Sequence, residues 1–298
     1  MFRVSPQDEQ QVTPNVNSLV TVVPTFRPDA AALLDLLEGL AAQADVIVAD
    51  DASPCTSDPA LAAVVARGIP VVRHAHNAGI ARSLNNGLRH AQAIGAEWLL
   101  TVDQDTVISV DHAARLLAVA DTSAGKVRVG AVAAGRIDDA AGPLAYPTTL
   151  VGGVPTTQEV IQTGTLWSVA ALDAIGGFDE SLGIDAVDAA ACVRLRAAGY
   201  SLVLAPDVAI AHQVGASREV SVLGRKVMAT GHSPERRTTI VRNRLRLAPE
   251  EFQQDPVHAL RTLRRVTMGT LLAVTVEDDR WAKAKASAKG LWPTRRPR

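Results

Sequence analysis

The 298-residue sequence has few cysteines and no long apolar run. Its two cysteines, Cys55 and Cys192, are far apart, which argues against a disulfide framework or a thiolate zinc site and fits a reduced compartment. No stretch reaches the roughly 20 apolar residues that a membrane-spanning helix needs. The first 17 residues are polar and contain acids, unlike a secretory signal. We therefore expect a cytoplasmic globular protein.

Two glycine-rich phosphate-binding motifs are also absent. A dinucleotide-binding Rossmann domain carries G-x-G-x-x-G in its first strand–helix turn, where this chain has VPTFRPDA. A nucleotidyltransferase would need a loop rich in glycine and basic residues at the same place, and a Walker A loop is missing as well. A nucleotide bound by this chain must have its diphosphate neutralised by other groups.

The charges are distributed unevenly along the chain. From Arg225 onward there are 17 basic and 7 acidic residues, whereas the preceding part has 13 basic and 24 acidic residues. A basic tail on an acidic body indicates either an anionic partner, such as a membrane surface, or docking of the tail onto the body itself.

The order of the apolar segments predicts an α/β fold. Strand-like runs such as SLVTVVPTF and EWLLTVDQD alternate with helical segments, and their apolar residues are continuous rather than alternating. This pattern is typical of a mostly parallel, Rossmann-like sheet with helices on both faces. We expect Asp29 to cap the first helix, Gly95 to end a later one, and Pro206 to break SLVLAPDVAIAHQVG into two short strands.

We divide the chain into a flexible leader, a catalytic domain and a basic helical C-terminal extension. The leader is 1–17, the domain is 18–224, with a nucleotide half 18–110 and an acceptor half 111–224, and the extension is 225–298.

Three predicted strand ends carry unusual polar groups: Thr25 with Arg27, Asp50 with Asp51, and Asp103 with Asp105. Ligands of parallel sheets bind at this edge. The two carboxylates of TVDQDT repel each other unless a divalent cation, a basic side chain or water lies between them. Carboxylate oxygens suit Mg²⁺ or Mn²⁺, although an isolated D-x-D is also common turn chemistry.

The order of the motifs resembles the family 2 glycosyltransferases of the GT-A fold, closest to their rhamnosyltransferase-like branch. The resemblance covers about residues 18 to 250. It is carried by the segments VVPTFRPD, VADDAS, HNAGIARSLNNGL, LLTVDQDT, GGFDESLGIDAVDAAACVRLRAAGY, APDVAIAHQVG and HSPERRTTIVRNRL.

The resemblance implies roles for the donor-side residues. Asp51 would accept a hydrogen bond from the imide of the nucleotide base, with Thr25 and Arg27 in the same pocket. Arg82 would lie near the diphosphate or the sugar.

It also implies a metal site. Asp105 would bind Mg²⁺ or Mn²⁺ directly, Asp103 would contact the ribose or the metal, and His212 would be a further ligand or else a packed histidine.

On the acceptor side, Asp188 would be the catalytic base, with Asp185 as the alternative. Arg242 and Asn243 would lie near the diphosphate or the acceptor side. One base and one metal pair indicate an inverting transferase, because a glycosidase would need two carboxylates flanking the bond.

The expected function is transfer of a sugar, L-rhamnose from dTDP-L-rhamnose by resemblance, to a polysaccharide or glycolipid. The rivals are a transferase for UDP-hexose or UDP-galactofuranose and a non-catalytic sugar-nucleotide binder. The partners expected are a nucleotide-sugar donor and a saccharide or lipid-linked acceptor, with no nucleic acid. The tail after Arg261 would lie peripherally on the cytoplasmic membrane face, fold back on the body, or pair subunits in a homo-oligomer.

Overall fold

The computed structural model of the chain describes residues 19–139, 142–212, 218–222, 225–229 and 231–292. The expected leader 1–17 lies outside these residues.

The first half of the sheet is parallel. Its strands are β1 (Leu19–Thr25), β2 (Asp45–Asp50), β3 (Val71–Arg73) and β4 (Trp98–Thr101), arranged in the order β3-β2-β1-β4. All seven residues of β1 are buried because the strand is central and covered on both faces. The carboxyl ends of β1, β2 and β4 therefore meet at one edge, as the sequence predicts.

The second half of the sheet is mixed. The strands are β5 (Val129–Asp139), β6 (Gly142–Ala145), β7 (Thr149–Val151), β8 (Val154–Thr157), β9 (Thr165–Ser168) and β10 (Ser201–Ala211). Strand β9 lies antiparallel between β4 and β5, and it joins the two halves into one sheet. Strands β5 and β10 are parallel, whereas β6, β7 and β8 pair antiparallel.

Helices cover both faces of the sheet, which confirms the α/β class. They are α1 (Ala30–Ala41), α2 (Asp58–Ala66), α3 (Ile80–Ile94), α4 (His112–Ser123), α5 (Val169–Ala174) and α6 (Val187–Ala197). Helices α3, α5 and α6 contribute to one apolar core and α1, α2 and α4 to the other. Burial of these two apolar layers is the main favourable term in folding.

Two predicted helix boundaries are confirmed. The Asp29 carboxylate accepts a hydrogen bond from the amide of Ala32 and caps α1, and Gly95 ends α3 in the left-handed conformation at φ 72°. Both cysteines are free, with Cys55 exposed and Cys192 buried.

The prediction that Pro206 separates two strands is wrong. Residues Ser201–Ala211 form the single strand β10, whose pairing with β5 is irregular between Ala205 and Ala209. A bulge accommodates proline because the bulged residue need not donate to the ladder.

The C-terminal part consists of a hairpin and three helices in the described residues. Strands β11 (Arg218–Val222) and β12 (Arg225–Ala229) pair with each other, so the expected boundary at 224/225 falls between paired strands. Helices α7 (Pro234–Gln254), α8 (Pro256–Thr275) and α9 (Arg280–Gly290) pack against one another, and α7 also packs against α6. Among the described residues, no helix is both long enough and apolar enough to cross a bilayer.

Candidate active site

A cavity of about 1050 Å³ opens at the carboxyl edge of the parallel strands. Its walls come from the ends of β1, β2 and β4, the start of α3, the loop before α6, and the first half of α7. Thr25, Asp51, Asp103, Asp105 and Asp188 all line it. The cavity therefore joins side chains of the nucleotide half and the acceptor half.

The Asp50 carboxylate shapes the loop after β2 rather than facing a ligand. It is fully buried and accepts hydrogen bonds from Thr25 Oγ1 at 3.2 Å, Ser53 N at 3.0 Å and Ser53 Oγ at 2.5 Å. Arg73, on the neighbouring strand β3, places its Nε 3.3 Å from Asp50 Oδ2. These contacts fix the positions of Thr25 and of the neighbouring Asp51.

Asp51 lines the cavity and also holds the turn that begins α3. Its Oδ1 accepts hydrogen bonds from Ala78 N at 2.7 Å and pairs with His74 Nδ1 at 2.9 Å, while Oδ2 accepts from Gly79 N at 2.8 Å. A carboxylate offers about four acceptor positions. One position is therefore left to receive a donor from the cavity.

Arg27 and Arg82 do not line the cavity, although each follows or precedes a residue that does, Phe26 and Ser83. Arg27 is exposed, has a positive φ of 51°, and places its guanidinium 5.0 Å from the centre of the Phe26 ring. Arg82 is exposed on the first turn of α3.

Gln104, the middle residue of the D-Q-D motif, binds the opposite loop. Its Oε1 accepts from Phe26 N at 3.0 Å and its Nε2 donates to Phe26 O at 3.2 Å. This pair of hydrogen bonds directs Gln104 away from the neighbouring Asp103 and Asp105 and fixes the β1 and β4 ends relative to each other.

Asp103, Asp105 and His212 form a group whose ligand atoms all lie within 4.8 Å of one another. His212 Nε2 is 3.9 Å from Asp103 Oδ2, and its Nδ1 is 3.7 Å from Asp105 Oδ1. Asp105 is the exposed member, with 68% of its side chain accessible. Two carboxylates and an imidazole suit Mg²⁺ or, better, Mn²⁺. The fold thus brings together Asp105 and His212, which are 107 positions apart in the sequence.

Burial strongly affects Asp103. Desolvation raises the pKa of this carboxyl to about 6, against the opposing effects of His212 and a hydrogen bond donated by Gln162 Nε2. Nearby Asp105 raises it further. A cation placed between the two carboxylates would offset both the desolvation of Asp103 and its repulsion by Asp105, because it favours the ionised forms.

Asp188 lies in the first turn of α6 at the opposite side of the cavity. Its Oδ1 accepts from Ala189 N at 2.8 Å. Desolvation and the nearby Glu159 raise its pKa to about 6, which Arg244 partly offsets. A carboxylate with such a pKa is suited to general base catalysis near neutral pH.

The alternative base, Asp185, is engaged differently. Its Oδ1 pairs with Arg236 Nη2 at 3.1 Å, whereas its Oδ2 is buried without a hydrogen-bond partner. Asp185 and Ala186 both have left-handed φ values, 66° and 61°. Such backbone costs of order 1–3 kcal/mol per residue and persists only where the surroundings enforce it.

Asn243 stabilises the conformation of that loop from its buried side. It is fully buried, and its Nδ2 lies 2.9 Å from Leu182 O, 2.8 Å from Ile184 O and 3.0 Å from Asp185 O. The structure therefore places Asn243 behind the acceptor-side loop rather than at the cavity surface. Its neighbour Arg242 lines the cavity.

A buried charge network lies behind Asp188. Arg244 pairs with Glu159 at 2.7 Å and approaches Glu251 at 3.6 Å. Burial alone would raise the pKa of Glu159, but Arg244 and His258 hold it well below its usual range. The ionised Glu159 in turn raises the pKa of Asp188.

Comparisons with known proteins agree with this geometry. The family model "Glycosyl transferase family 2" matches residues 21–165. The chain carries a family 2 glycosyltransferase domain. The protein is similar to dTDP-rhamnosyl transferase RfbF of Shigella flexneri, with 27% identity over 266 residues and 86% of each chain covered.

The glycosyltransferase also resembles solved structures in fold. S. aureus TarS 1-349 in complex with UDP-GlcNAc is 17% identical with a TM-score of 0.59, over 90% of this chain and 79% of that one. GalNAc-T7 with UDP, GalNAc and Mn²⁺ is 13% identical with a TM-score of 0.55, over 78% and 48%. This chain spans 44% of the longer TarS chain. These likenesses confirm the GT-A fold class.

Several site residues of the glycosyltransferase could not be selected from its sequence. Gln162 and Thr163 support Asp103 through its side chain and its amide, with Thr163 Oγ1 accepting from Asp103 N at 2.9 Å. In the sequence, two polar residues directly before Gly164 were only a weak indication that Gln162 and Thr163 belong to the site. Arg244 and Glu159 gave no signal, because ion pairing across 85 positions leaves no local pattern.

Proposed function

We propose that the enzyme transfers L-rhamnose from dTDP-L-rhamnose to a saccharide or lipid-linked acceptor, with Mg²⁺ or Mn²⁺ and with inversion at the anomeric carbon. One observation carries the proposal: a group of side chains that could hold a metal ion lines the same cavity as Asp188, a carboxylate outside that group whose pKa is raised to about 6. The choice of donor is supported by the similarity to dTDP-rhamnosyl transferase RfbF.

The metal would be held by Asp105, Asp103 and His212. The donor set of two carboxylates and an imidazole fits it, and the exposed Asp105 side chain is free to close on it. When bound, a divalent cation neutralises the diphosphate leaving group without proton transfer. This replaces the glycine-rich loop that the sequence lacks.

The base would be Asp188. Its carboxylate takes the proton of the acceptor hydroxyl as that oxygen attacks the anomeric carbon, and the nucleoside diphosphate leaves from the opposite face. A single displacement inverts the configuration. Asp185 is less suited to this task because Arg236 already occupies one of its oxygens.

The remaining wall residues would bind the substrates. Thr25 and Asp51 would receive the nucleotide base, with Arg27 and Arg82 closing over the donor from the mouth. Arg236 and Arg242 on α7 line the acceptor side of the cavity. Guanidinium groups there suit a diphosphate or an acidic group of the acceptor.

In this proposal 18–224 carries the chemistry, and the extension 225–298 completes the acceptor wall through α7. Contact of the extension with an anionic membrane and formation of a homo-oligomer concern α8 and α9 rather than the cavity.

The test is metal-dependent donor binding by Asp105→Asn. The substitution keeps the side-chain shape and removes the charged ligand, so dTDP binding measured by calorimetry should lose its Mn²⁺ dependence. We expect the affinity in Mn²⁺ to fall about 10- to 100-fold. Asp121→Asn, at an exposed position on α4, is the matched control and should bind like the wild type.

Equal Mn²⁺-dependent affinity in Asp105→Asn and wild type would contradict the metal site. Transfer of rhamnose to a panel of saccharide acceptors, with the anomeric configuration of the product read by NMR, tests the rest. A product that retains the donor configuration would rule out the single displacement.

A further inference from the structure

Helix α8 presents an apolar stripe to solvent. Val257, Leu260, Met268 and Leu271 are each 48–59% exposed. Successive members of this set are three, eight and three residues apart, which places them along one side of the helix. The opposite side, which includes Ala259, Thr262 and Ala273, is buried. An exposed stripe of this size on a helix is typical of an interaction surface.

Basic side chains border the same stripe. Arg261, Arg264 and Arg265 are exposed, and α8 contains no acidic residue. In the connection to α9, Glu277 is buried and paired with Lys283 at 2.9 Å, whereas Asp278 and Asp279 are exposed and lie at the end of α8 away from these arginines in sequence. The surface of α8 is therefore both apolar and cationic.

Two exposed tryptophans lie nearby, Trp281 on α9 and Trp292 two residues beyond its end. Trp281 and Trp292 are 78% and 79% exposed. Trp281 and the exposed Lys285 are four residues apart and therefore lie on one side of α9. The other side of α9, with Ala286 and Gly290, is buried. Tryptophan is enriched where one end of a side chain is apolar and the other is wet.

We propose that the exposed faces of α8 and α9 form a docking surface for an anionic lipid bilayer. The membrane face, as we call it, consists of Leu260, Arg261, Arg264, Met268, Trp281 and Trp292. The apolar side chains and the tryptophans would enter the interfacial region, and the arginines would meet anionic headgroups. A second copy of the chain fits less well, because a two-fold interface would bring arginine against arginine.

The position of α7 connects this face to the acceptor side of the cavity. Arg236, Thr239 and Arg242 of α7 line the cavity. On its other side, Arg237 Nη2 donates to Thr270 Oγ1 of α8 at 2.6 Å, and Thr238 Oγ1 donates to Ala286 O of α9 at 3.0 Å. One helix layer, about 8–10 Å thick, thus separates the cavity from the helices that carry the membrane face.

The native tryptophans provide a direct measurement with the full chain. Trp167 is fully buried and Trp98 is partly buried, so a vesicle-dependent change in fluorescence reports on Trp281 and Trp292. Vesicles of brominated phosphatidylglycerol should quench the emission. Vesicles of equally brominated phosphatidylcholine, which carry no net charge, should not. The quenching should weaken as salt rises from about 0.1 M to about 1 M, since the Debye length falls from about 10 Å to about 3 Å.

Two variants separate the apolar and the electrostatic parts. Trp281→Ala/Trp292→Ala should abolish the quenching and reduce vesicle sedimentation, and Arg261→Gln/Arg264→Gln should weaken sedimentation about 10-fold or more. Arg67→Gln/Lys126→Gln, which removes two exposed positive charges elsewhere, is the matched control and should sediment like the wild type. Donor binding should be unchanged in all three, because none of these residues lines the cavity.

Three outcomes would overturn the proposal. The first is that the wild type does not sediment with phosphatidylglycerol vesicles. The second is that the control variant loses as much sedimentation as Arg261→Gln/Arg264→Gln. The third is that the wild type does not bind vesicles but forms a dimer that dissociates on Trp281→Ala/Trp292→Ala. The last outcome, read by analytical ultracentrifugation, would assign the face to contact between copies of the chain.

Discussion

At the scale of single residues, Asp188 combines two properties that allow its role to be tested by the pH dependence of activity. Its carboxylate is partly buried beside the ionised Glu159, and its pKa is about 6. The protonated form predominates below that pH and cannot accept a proton from the acceptor hydroxyl. Activity should therefore depend on pH in a range where most carboxylates are already ionised.

We expect kcat/KM to fall as pH drops through about 6, because Asp188 becomes protonated. Asp188→Asn should lower turnover by about 10²- to 10⁴-fold with nearly unchanged donor affinity. Steady-state kinetics between pH 5 and 8, at saturating Mn²⁺ and compared with dTDP titrations, measure both effects. Asp185→Asn should keep most of the turnover.

Collapse of turnover in Asp185→Asn with normal Asp188→Asn would move the base three residues upstream. Folding of the variant can be verified independently. The pKa of Asp188 is raised on folding, so ionising it costs stability as pH rises from 3.8 through about 6. Asp188→Asn removes that cost and should be at least as stable as wild type at pH 8.

At the scale of elements, the start of α3 depends on a close backbone contact. Gly79 has φ 88°, and a Cβ on it would lie 2.4 Å from Gly183 O in the loop before α6. No side chain fits there. The contact places the nucleotide half directly against the acceptor half, and it orients the Ala78 and Gly79 amides toward Asp51.

Gly79→Ala should reduce the free energy of unfolding by about 1–3 kcal/mol, through overpacking and the positive φ. Donor binding should weaken as well, because the displaced turn no longer holds Asp51. Gly39→Ala is the control: a Cβ on Gly39 of α1 meets nothing within 4 Å, and alanine at a helix interior should stabilise by up to about 1 kcal/mol. Urea unfolding distinguishes the two; equal stability of both variants would contradict the contact.

The elements themselves were predictable where local chemistry determines them. The Asp29 cap, the Gly95 stop and the parallel strands of the first half follow from short patterns in the chain. The continuity of β10 across Pro206 was not predictable, because it depends on pairing with β5, a strand more than 60 residues away. The antiparallel insertion of β9 between β4 and β5 likewise has no local signature.

At the scale of the whole molecule, α7 attaches the C-terminal helices to the catalytic body. Arg236 and Arg244 of α7 pair with Asp185 and Glu159, so part of the basic extension docks onto the acidic body. Asn243 lies between them and holds the loop that ends before Asp188. The same loop has two left-handed residues, and it needs this support.

Asn243→Ala should remove the side-chain donor from the carbonyls of residues 182, 184 and 185, at a cost of about 1–3 kcal/mol in unfolding free energy. Turnover should fall while donor affinity changes little, because the support lies behind the acceptor side. Gln253→Ala, at an exposed position on α7, is the control. A variant whose kcat equals that of wild type while its stability falls would reduce Asn243 to a purely structural residue.

The site was predictable to the extent that its residues end parallel strands. Asp51, Asp103 and Asp105 follow from that rule, and resemblance added Asp188 and His212. Asn243 was expected near the diphosphate or the acceptor side, and it lies behind the acceptor-side loop; its burial there could not be predicted, because sequence order does not tell which face of α7 meets the body. The Arg244–Glu159 pair depends on the packing of α7 against the loop before β9, which no short segment encodes.

The free thiols have a practical consequence. Cys55 is exposed in the turn that follows the Asp51 loop, whereas Cys192 is buried, and desolvation raises the pKa of its thiol. A maleimide dye would therefore attach at one place in the native chain, four residues from a wall of the donor cavity. The unmodified sequence thus provides its own reporter position for titrating nucleotide sugars by fluorescence, without an engineered cysteine.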